Sequence, residues 1–229
     1  FGRFKIINTL GINLTFDVGA NKGQYGQSLR SGGYTGIIKS FEPLPSAYKA
    51  LQKKAINDDQ WEVFNYGLGA ENAQIYINES ANSHSSSILD ISNKHLHEAP
   101  DSMYVQRVNV ELKKFDEVFL QITNENVETK RNAFLKIDTQ GYEEEVLAGA
   151  SKVLKELALV QVEVSLEELY KNENSMNAIN RSIQDLREWI KQTDTLDIKN
   201  ENNLEMLLDR ADEIYNPIKA SIKKELIIA

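Results

Sequence analysis

FDVGANKGQYG, Phe16 to Gly26, joins an apolar run to a helical pattern through a glycine-rich turn. The residues before Gly19 predict a buried strand, and QYGQSLRSGG predicts a short helix that a pair of glycines ends. Glycine permits the sharp turn between them and leaves room for a ligand against the backbone. The pattern is therefore typical of either an ordinary strand–turn–helix corner or a nucleotide pocket.

The same rhythm of strands and helices continues along the chain. GIIKSFEP and WEVFNYGLG predict a second and a third strand, with the helical pattern PSAYKALQKKAINDD between them. Between residues 70 and 112, AQIYINES and YVQRVNVEL alternate like antiparallel strands. NAFLKIDTQG and LALVQVEVS then predict buried strands on either side of the helix YEEEVLAGASKVLKEL. This order predicts an α/β fold with a mainly parallel sheet, helices on both faces and an antiparallel insertion.

The composition limits the classes of protein to consider. The 229 residues suffice for one α/β domain, alone or with an appendage. A net charge of −8 argues against a nucleic-acid binder, and the absence of cysteine excludes disulfides and thiol nucleophiles. The sequence shows neither a signal peptide nor an apolar run long enough to cross a membrane. We therefore expect a cytoplasmic protein with no nucleic-acid or membrane partner.

Two acids follow the first two strands, at the edge of the sheet where α/β proteins bind ligands. Asp17 precedes the glycine turn, where its charge disfavours a phosphate and suits an amino group. Glu42 ends the second strand, where a carboxylate can accept both ribose hydroxyls. The alternative is that Asp17 caps the helix and Glu42 is a solvated strand end. Together the two acids favour a nucleoside site that fits S-adenosylmethionine.

Other nucleotide sites match this sequence poorly. The turn reads G-x-x-x-G-x-x-G, which is not the dinucleotide fingerprint G-x-G-x-x-G, and no P-loop lysine follows it. An NAD-dependent oxidoreductase is therefore disfavoured.

Five segments carry a resemblance to a known family: FDVGANKGQYGQSLRSGGYTGIIKSFEPLPSAYKAL, VFNYGLG, NSHSSSIL, LKIDTQGYEEEVLAGA and VQVEVSLEELY. They resemble the FkbM-type family of S-adenosylmethionine-dependent O-methyltransferases, and they extend from about Ile12 to Glu173. The most specific parts are D-V-G-A-N-x-G followed by F-E-P, and K-I-D-x-x-G-x-E. The resemblance implies a Rossmann-like class I methyltransferase fold, with S-adenosylmethionine as the cofactor. It further implies methyl transfer to a hydroxyl of a sugar, a glycan intermediate or a specialised metabolite.

The resemblance also implies which residues bind the cofactor. The methionine end is expected beside the first turn, the ribose on the acid of the second strand, and the adenine beside the residues that follow the second and third strands. Asp138 is expected beside the sulfonium and the acceptor. The expected cofactor residues are Asp17, Gly19, Asn21, Gly23, Glu42, Pro43, Leu44, Asn65, Gly67, Leu68 and Asp138.

Several side chains are candidates for the base that takes the proton of the acceptor hydroxyl. Asp138 lies at a strand end that faces the cleft, although its carboxylate could instead hold only the cofactor or the following turn. Glu143, or its neighbour Glu144, begins a helix, where an acid is favoured in any case. Glu163 interrupts an apolar strand, which is costly unless the acid is paired or faces a cleft. His84 lies in a polar loop and reaches the acceptor only if that loop closes.

Two further features concern a metal and the acceptor. His95 and His97 have a spacing that could bind a metal, but no carboxylate partner is evident, so we expect no structural metal site. A divalent cation at Asp138 is compatible with the resemblance, because some sugar O-methyltransferases use one, and the sequence does not require it. The segment NSHSSSIL is either the acceptor-binding element, suited to a polyhydroxylated molecule, or a solvated loop.

The C-terminal part departs from the family pattern. Residues 1–174 are expected to form the methyltransferase core, and residues 175–229 a helical segment, in which TLDIKN and ELIIA alone have strand character. The helical segment could cover the edge of the sheet, form a homodimer, or be an incomplete ending. The alternative function is that of a catalytically degenerate methyltransferase fold that acts as an interaction module.

Overall fold

The structure is a computed structural model, which describes residues 2–80, 104–124, 132–164 and 224–228. The helices in these ranges are α1 Gly2–Thr9, α2 Gln24–Ser31, α3 Pro45–Ala55, α4 Phe115–Asn124 and α5 Glu143–Gly149. The strands are β1 Leu14–Val18, β2 Ile37–Phe41, β3 Trp61–Phe64, β4 Gly67–Gly69, β5 Ala73–Ser80, β6 Tyr104–Lys114, β7 Ala133–Ile137, β8 Leu157–Val164 and β9 Lys224–Ile228.

The larger sheet has the strand order β3-β2-β1-β7-β8-β9. All neighbouring pairs are parallel except β8 and β9, which are antiparallel. The chain runs outward from β1 through β2 to β3, and it then returns to the other side of β1 with β7. The strand order therefore reverses between β1 and β7, which is where open α/β sheets bind their ligands. The prediction of a mainly parallel, Rossmann-like sheet is confirmed.

Burial on both faces explains the near-continuous apolar strands. All five residues of β1 and all five of β7 are buried, as expected for parallel strands covered by helices on each face. On one face, Phe16 packs against the rings of Phe115 and Phe119 in α4, with centroid distances of 5.3 and 5.5 Å. On the opposite face, Leu29 of α2 and Leu51 of α3 belong to a second buried cluster. These two clusters hold the carboxyl ends of the central strands in place.

A smaller sheet has the strand order β4-β6-β5, and it contains the antiparallel pair β5 and β6 that the alternating pattern predicted. Its inner residues Ile77 and Val110 pack with Leu44 and Ala47 at the start of α3. The third strand predicted in WEVFNYGLG, running into glycines, is present as β3, but the glycines form a separate strand, β4, because the chain bends at Asn65 and Tyr66. The Asn65 side-chain amide donates hydrogen bonds to the carbonyls of Glu42 and Pro43. Strand β3 pairs with β2 in the larger sheet, and β4 pairs with β6 in the smaller one.

Four other elements differ from the sequence prediction. The helix predicted over YEEEVLAGASKVLKEL ends at Gly149, where α5 meets β4 so closely that a Cβ on Gly149 would lie 1.9 Å from the Gly69 carbonyl oxygen. Helices α1 and α4 were not predicted. At the C-terminus, the ELII run that showed only slight strand character forms β9 with Lys224, and β9 covers the edge of β8.

Several expectations lie outside the described residues. They are the helices predicted in residues 175–223, the boundary at residue 174, the polar segment with His84, His95 and His97, and most of the loop TNENVETKRN. Within the described part of the chain, no helix is long and apolar enough to cross a membrane.

Candidate functional site

A cavity of about 350 Å³ opens at the carboxyl ends of β1, β2 and β7, at the point where the strand order reverses. This volume is at the lower end of the range for small-molecule and cofactor sites. The residues that line it are Val18, Gly19, Ala20, Asn21, Gln24, Tyr25, Ser28, Glu42, Pro43, Leu44, Gly67, Leu68, Ile77, Leu112, Lys136, Asp138, Thr139, Gln140 and Tyr142. The turns after β1, β2 and β7, together with α2 and Lys136, thus supply the polar part of the cavity, and Ile77 and Leu112 of the smaller sheet add apolar wall.

The glycine turn after β1 borders the cavity and needs glycine for two reasons. Gly19 has φ 73°, and a Cβ there would lie 1.9 Å from the carbonyl oxygen of Asp138. Gly23 has φ 79°, and its Cβ would meet Leu51 at 2.8 Å. The backbone N–H of Gly19 donates to the carbonyl of Phe41 at 3.1 Å, which ties the turn to β2. The turn can therefore approach Asp138 closely only because residue 19 has no side chain.

Glu42 is a buried carboxylate in the wall of the cavity, with 6% of its surface exposed. Its Oε2 accepts the N–H of Asn21 at 2.8 Å, and its Oε1 accepts the N–H of Leu44 at 2.9 Å. Burial raises its pKa to about 7, although these N–H groups and the charge of Lys136 act in the opposite direction. Since a carboxylate oxygen has two lone pairs, each oxygen can still accept a hydroxyl of a ligand.

Asp17, in contrast, lies inside the sheet and is 0% exposed. Its Oδ1 is 3.0 Å from Nζ of Lys136, and its Oδ2 accepts the hydroxyl of Ser40 at 3.3 Å. Ser40 in turn accepts the indole N–H of Trp61 at 3.0 Å. Asp17 is not among the described residues that line the cavity, whereas Lys136 is. The proposed contact between Asp17 and an amino group stays a prediction, and Lys136 is the nearer of the two to a ligand.

Lys136 joins the two acids at the ends of β1 and β7. Its Nζ is 3.6 Å from Oδ2 of Asp138 and 5.1 Å from the ring centre of Tyr25. Burial on its own lowers the pKa of Lys136, but the charges of Asp17 and Asp138 more than offset this, so the pKa is raised. Lys136 is therefore an ammonium at physiological pH, although it is only 4% exposed.

Asp138 lies at the end of β7 and lines the cavity, with 29% of its side chain exposed. Its Oδ1 accepts a hydrogen bond from the amide of Gln140 at 2.6 Å. Its backbone N–H donates to the carbonyl of Val18 at 3.1 Å, which fixes the end of β7 against the end of β1. Of the four predicted base candidates, Asp138 is the one that the described cavity includes.

Glu143 has a different environment from the one expected of a base. Its carboxylate accepts the N–H of Thr139 at 2.9 Å, the hydroxyl of Thr139 at 3.1 Å and the N–H of Gly141 at 3.0 Å. Burial raises its pKa, and backbone N–H groups, including those of Thr139 and Gly141, act in the opposite direction. These contacts explain the motif K-I-D-x-x-G-x-E, because the final acid holds the turn that follows Asp138. Glu143 thus positions the cavity wall.

The remaining predicted residues fall into three groups. Pro43, Leu44, Gly67 and Leu68 line the cavity together, and their contact with an adenine stays a prediction. Glu163 lies on β8, partly buried and close enough for its charge to raise the pKa of Lys136, but it is not among the residues that line the cavity. His84 lies outside the described residues.

Sequence reasoning missed Lys136, Tyr25, Thr139, Gln140 and Tyr142, all of which line the cavity. A signal was present for Lys136, because a lysine inside the apolar run AFLKI is costly to bury without a charged partner.

Metal binding has no support here: among the described residues, no group of three or more His, Cys, Asp or Glu side chains could hold a metal ion.

Comparison with known proteins gives a family match. Residues 17–195 of the chain, well over half of its 229 residues, match the family model described as the methyltransferase FkbM domain. No significant match was found among curated proteins.

Solved structures show weaker similarity. The fibrillarin/Nop5p complex is 12% identical with a TM-score of 0.42, over 78% of this chain and 62% of that one. The METTL16 MTase domain is 8% identical with a TM-score of 0.41, over 81% of this chain and 56% of that one. The chain thus spans less than two thirds of either structure.

Proposed function

Because the chain belongs to the FkbM methyltransferase family, we propose that it transfers the methyl group of S-adenosylmethionine to a hydroxyl group. We propose further that the acceptor is a sugar, a glycan intermediate or a specialised metabolite. The observation that carries the proposal is the cavity between the carboxylates of Glu42 and Asp138, at the reversal of strand order. When bound, S-adenosylmethionine would supply a methyl group on a sulfonium sulfur, and breaking that methyl–sulfur bond would release the neutral thioether S-adenosylhomocysteine as a good leaving group.

The residues of the cavity fit this cofactor in two places. The carboxylate of Glu42 is held rigidly by two backbone N–H groups and keeps acceptor capacity for the two ribose hydroxyls. Next to it, Leu44, Leu68, Ile77 and Leu112 form an apolar wall that suits a flat aromatic base. The acid and the apolar wall together support a nucleoside at this end of the cavity.

Asp138 supports a role at the reacting end. Its carboxylate is partly exposed to the cavity, and contacts with Gln140 and Lys136 fix its orientation. A fixed carboxylate can align an acceptor hydroxyl by accepting its hydrogen bond, and it can take the proton as the hydroxyl oxygen bonds to the methyl carbon. We assign that role to Asp138 rather than to Glu143, whose carboxylate is engaged by the turn at Thr139 and Gly141.

The chemistry of the neighbouring wall supports a polyhydroxylated acceptor. Thr139, Gln140 and Tyr142 line the cavity on the same turn as Asp138 and carry hydroxyl and amide groups. Such groups both donate and accept hydrogen bonds, as sugar hydroxyls require.

Calorimetric titration of the wild-type protein with S-adenosylhomocysteine tests the cofactor assignment. We expect one-to-one binding that Glu42→Gln weakens about tenfold or more, because hydrogen bonds to a charged group contribute about 1.5–3 kcal/mol. Glu62→Gln is the matched control, since Glu62 is a surface acid on β3 that pairs with Lys39. Absence of binding to the folded wild-type protein would refute the assignment. Transfer of a labelled methyl group from the cofactor into a metabolite extract then identifies the acceptor class.

A further inference from the structure

Polar side chains cross the interior of the larger sheet just below the cavity. Asp17 is paired in register with Ser40 on one side and with Lys136 on the other. All three are buried, in strands whose other residues are mainly apolar. Burying charged groups is costly unless they pair with one another, and Asp17 and Lys136 pair across this row.

The ammonium of Lys136 is the centre of this row. It lies 3.0 Å from Asp17, 3.6 Å from Asp138 and 3.3 Å from the carbonyl oxygen of Gly19. One cation therefore contacts the two motif acids and the glycine turn at once. Among its partners, Asp17 is fully buried, whereas Asp138 is partly exposed and lines the cavity.

We propose that Lys136 is a positioning residue that sets the charge of the cavity. Its ammonium neutralises Asp17 within the sheet and orients Asp138 at the cavity wall. Asp17, Lys136 and Asp138 together carry one surplus negative charge, and the cationic end of the cofactor meets this charge at Asp138. Asp17 acts on the cofactor through Lys136. This inference rests on the proposed use of S-adenosylmethionine.

The two forms of the cofactor differ in charge, which makes the inference testable by binding alone. S-adenosylmethionine carries a sulfonium and has a net charge of +1, whereas S-adenosylhomocysteine is neutral overall, and both carry the same amino group. If Asp17 serves to neutralise Lys136, Asp17→Asn adds positive charge beside the cavity and weakens binding of the cationic form alone. If Asp17 instead contacts the amino group directly, the same substitution weakens binding of both forms equally.

The experiment is a calorimetric comparison of the two ligands on wild-type protein, Asp17→Asn and the double variant Asp17→Asn/Lys136→Met. For charges on the order of 10 Å apart at an effective dielectric constant of about 20, one charge changes the affinity for another about tenfold. We therefore expect Asp17→Asn to lower the affinity for S-adenosylmethionine, relative to S-adenosylhomocysteine, about tenfold. The double variant removes both charges and is expected to restore the wild-type ratio within about threefold.

Asp116→Asn is the matched control, because Asp116 is a buried acid on α4 that lies 3.7 Å from the ammonium of Lys114 and does not line the cavity. It is expected to leave the ratio unchanged. Circular dichroism checks the fold of each variant. If Asp17→Asn does not fold, the double variant decides: the inference requires it to fold, to bind both ligands and to keep the wild-type ratio.

The outcomes separate this inference from the proposed function. If the wild-type protein binds neither ligand, the proposed function fails. If it binds both, but Asp17→Asn weakens them equally and so leaves the ratio of the two affinities unchanged, Lys136 has no such role and the proposed function stands. The same holds if Asp17→Asn shifts the ratio and the double variant does not restore it. The positioning role of Lys136 is established if Asp17→Asn shifts the ratio of the two affinities and the added substitution Lys136→Met reverses that shift.

Discussion

Replacing Gly19 with alanine is expected to destabilise the protein more than the same change at a glycine with a similar backbone conformation. Gly19 has φ 73°, and its added Cβ would lie 1.9 Å from the Asp138 carbonyl oxygen. Gly33 has φ 87°, and its Cβ would have no neighbour within 4 Å. Both substitutions force a left-handed conformation on alanine, but only Gly19→Ala also pushes β1 and β7 apart. Gly33→Ala is therefore the matched control.

The magnitudes follow from these two terms. The left-handed conformation costs an L-residue about 1–2 kcal/mol, and overlap in a packed site adds about 1–3 kcal/mol. Gly33→Ala is thus expected to lower the free energy of unfolding by about 1–2 kcal/mol, and Gly19→Ala by about 2 kcal/mol more. In a chain of this length about 1 kcal/mol corresponds to about 2–4 °C in Tm.

Thermal unfolding followed by circular dichroism measures the difference. The Tm of Gly19→Ala is expected about 4–8 °C below that of Gly33→Ala. Calorimetry is expected to show weaker binding of S-adenosylhomocysteine to Gly19→Ala only, because residue 19 lines the cavity. Equal losses of Tm in the two variants would refute the close approach of the turn to Asp138.

Three further predictions concern charged side chains. Since burial raises the pKa of Glu42 to about 7, the ionised carboxylate that we propose as the acceptor for the ribose hydroxyls forms as the pH rises through 7. Calorimetry is expected to show binding of S-adenosylhomocysteine about tenfold tighter at pH 8 than at pH 6, and an equal pH dependence in Glu42→Gln would contradict this. Glu143→Gln loosens the turn after β7 and is expected to lower the free energy of unfolding, measured in urea, by about 2–3 kcal/mol. The control Glu144→Gln changes an exposed residue and is expected to leave that free energy nearly unchanged. Similar losses in the two variants would argue against the contacts of Glu143 with the turn. Arg30 binds Asp58 and three backbone carbonyls, so Arg30→Met is expected to lower the free energy of unfolding by about 2 kcal/mol. Arg30→Lys keeps the charge but not all of the hydrogen bonds, and it is expected to lower the free energy of unfolding by a smaller amount. Wild-type stability in Arg30→Lys would show that charge alone matters.

Much of the larger sheet could be predicted from the sequence, because parallel strands buried on both faces give apolar runs such as LTFDV and AFLKI. The division of WEVFNYGLG between two sheets could not be predicted. It depends on pairing with strands that are distant in the sequence, β3 with β2 and β4 with β6. The close approach of α5 to Gly69 likewise joins elements that are distant in the sequence, and no local pattern encodes it.

The site divides in the same way. Glu42 and Asp138 could be placed from their positions at strand ends, and both line the cavity. The pairing of Asp17 could not be foreseen, because its partner Lys136 is far away in the sequence and becomes its neighbour only when β1 pairs with β7. Glu143 fits the motif, but the motif alone does not distinguish a base from a residue that holds the turn. Its contacts with Thr139 and Gly141 support the second role.

A crystal structure of the protein with S-adenosylhomocysteine tests the central claim most directly. We expect the ligand in the cavity between β1, β2 and β7, with both ribose hydroxyls within hydrogen-bond distance of the Glu42 carboxylate. Its adenine is expected against Leu44 and Leu68, and its sulfur on the side of Asp138. A ligand bound elsewhere on the protein, or in this cavity with its ribose away from Glu42, would contradict the account.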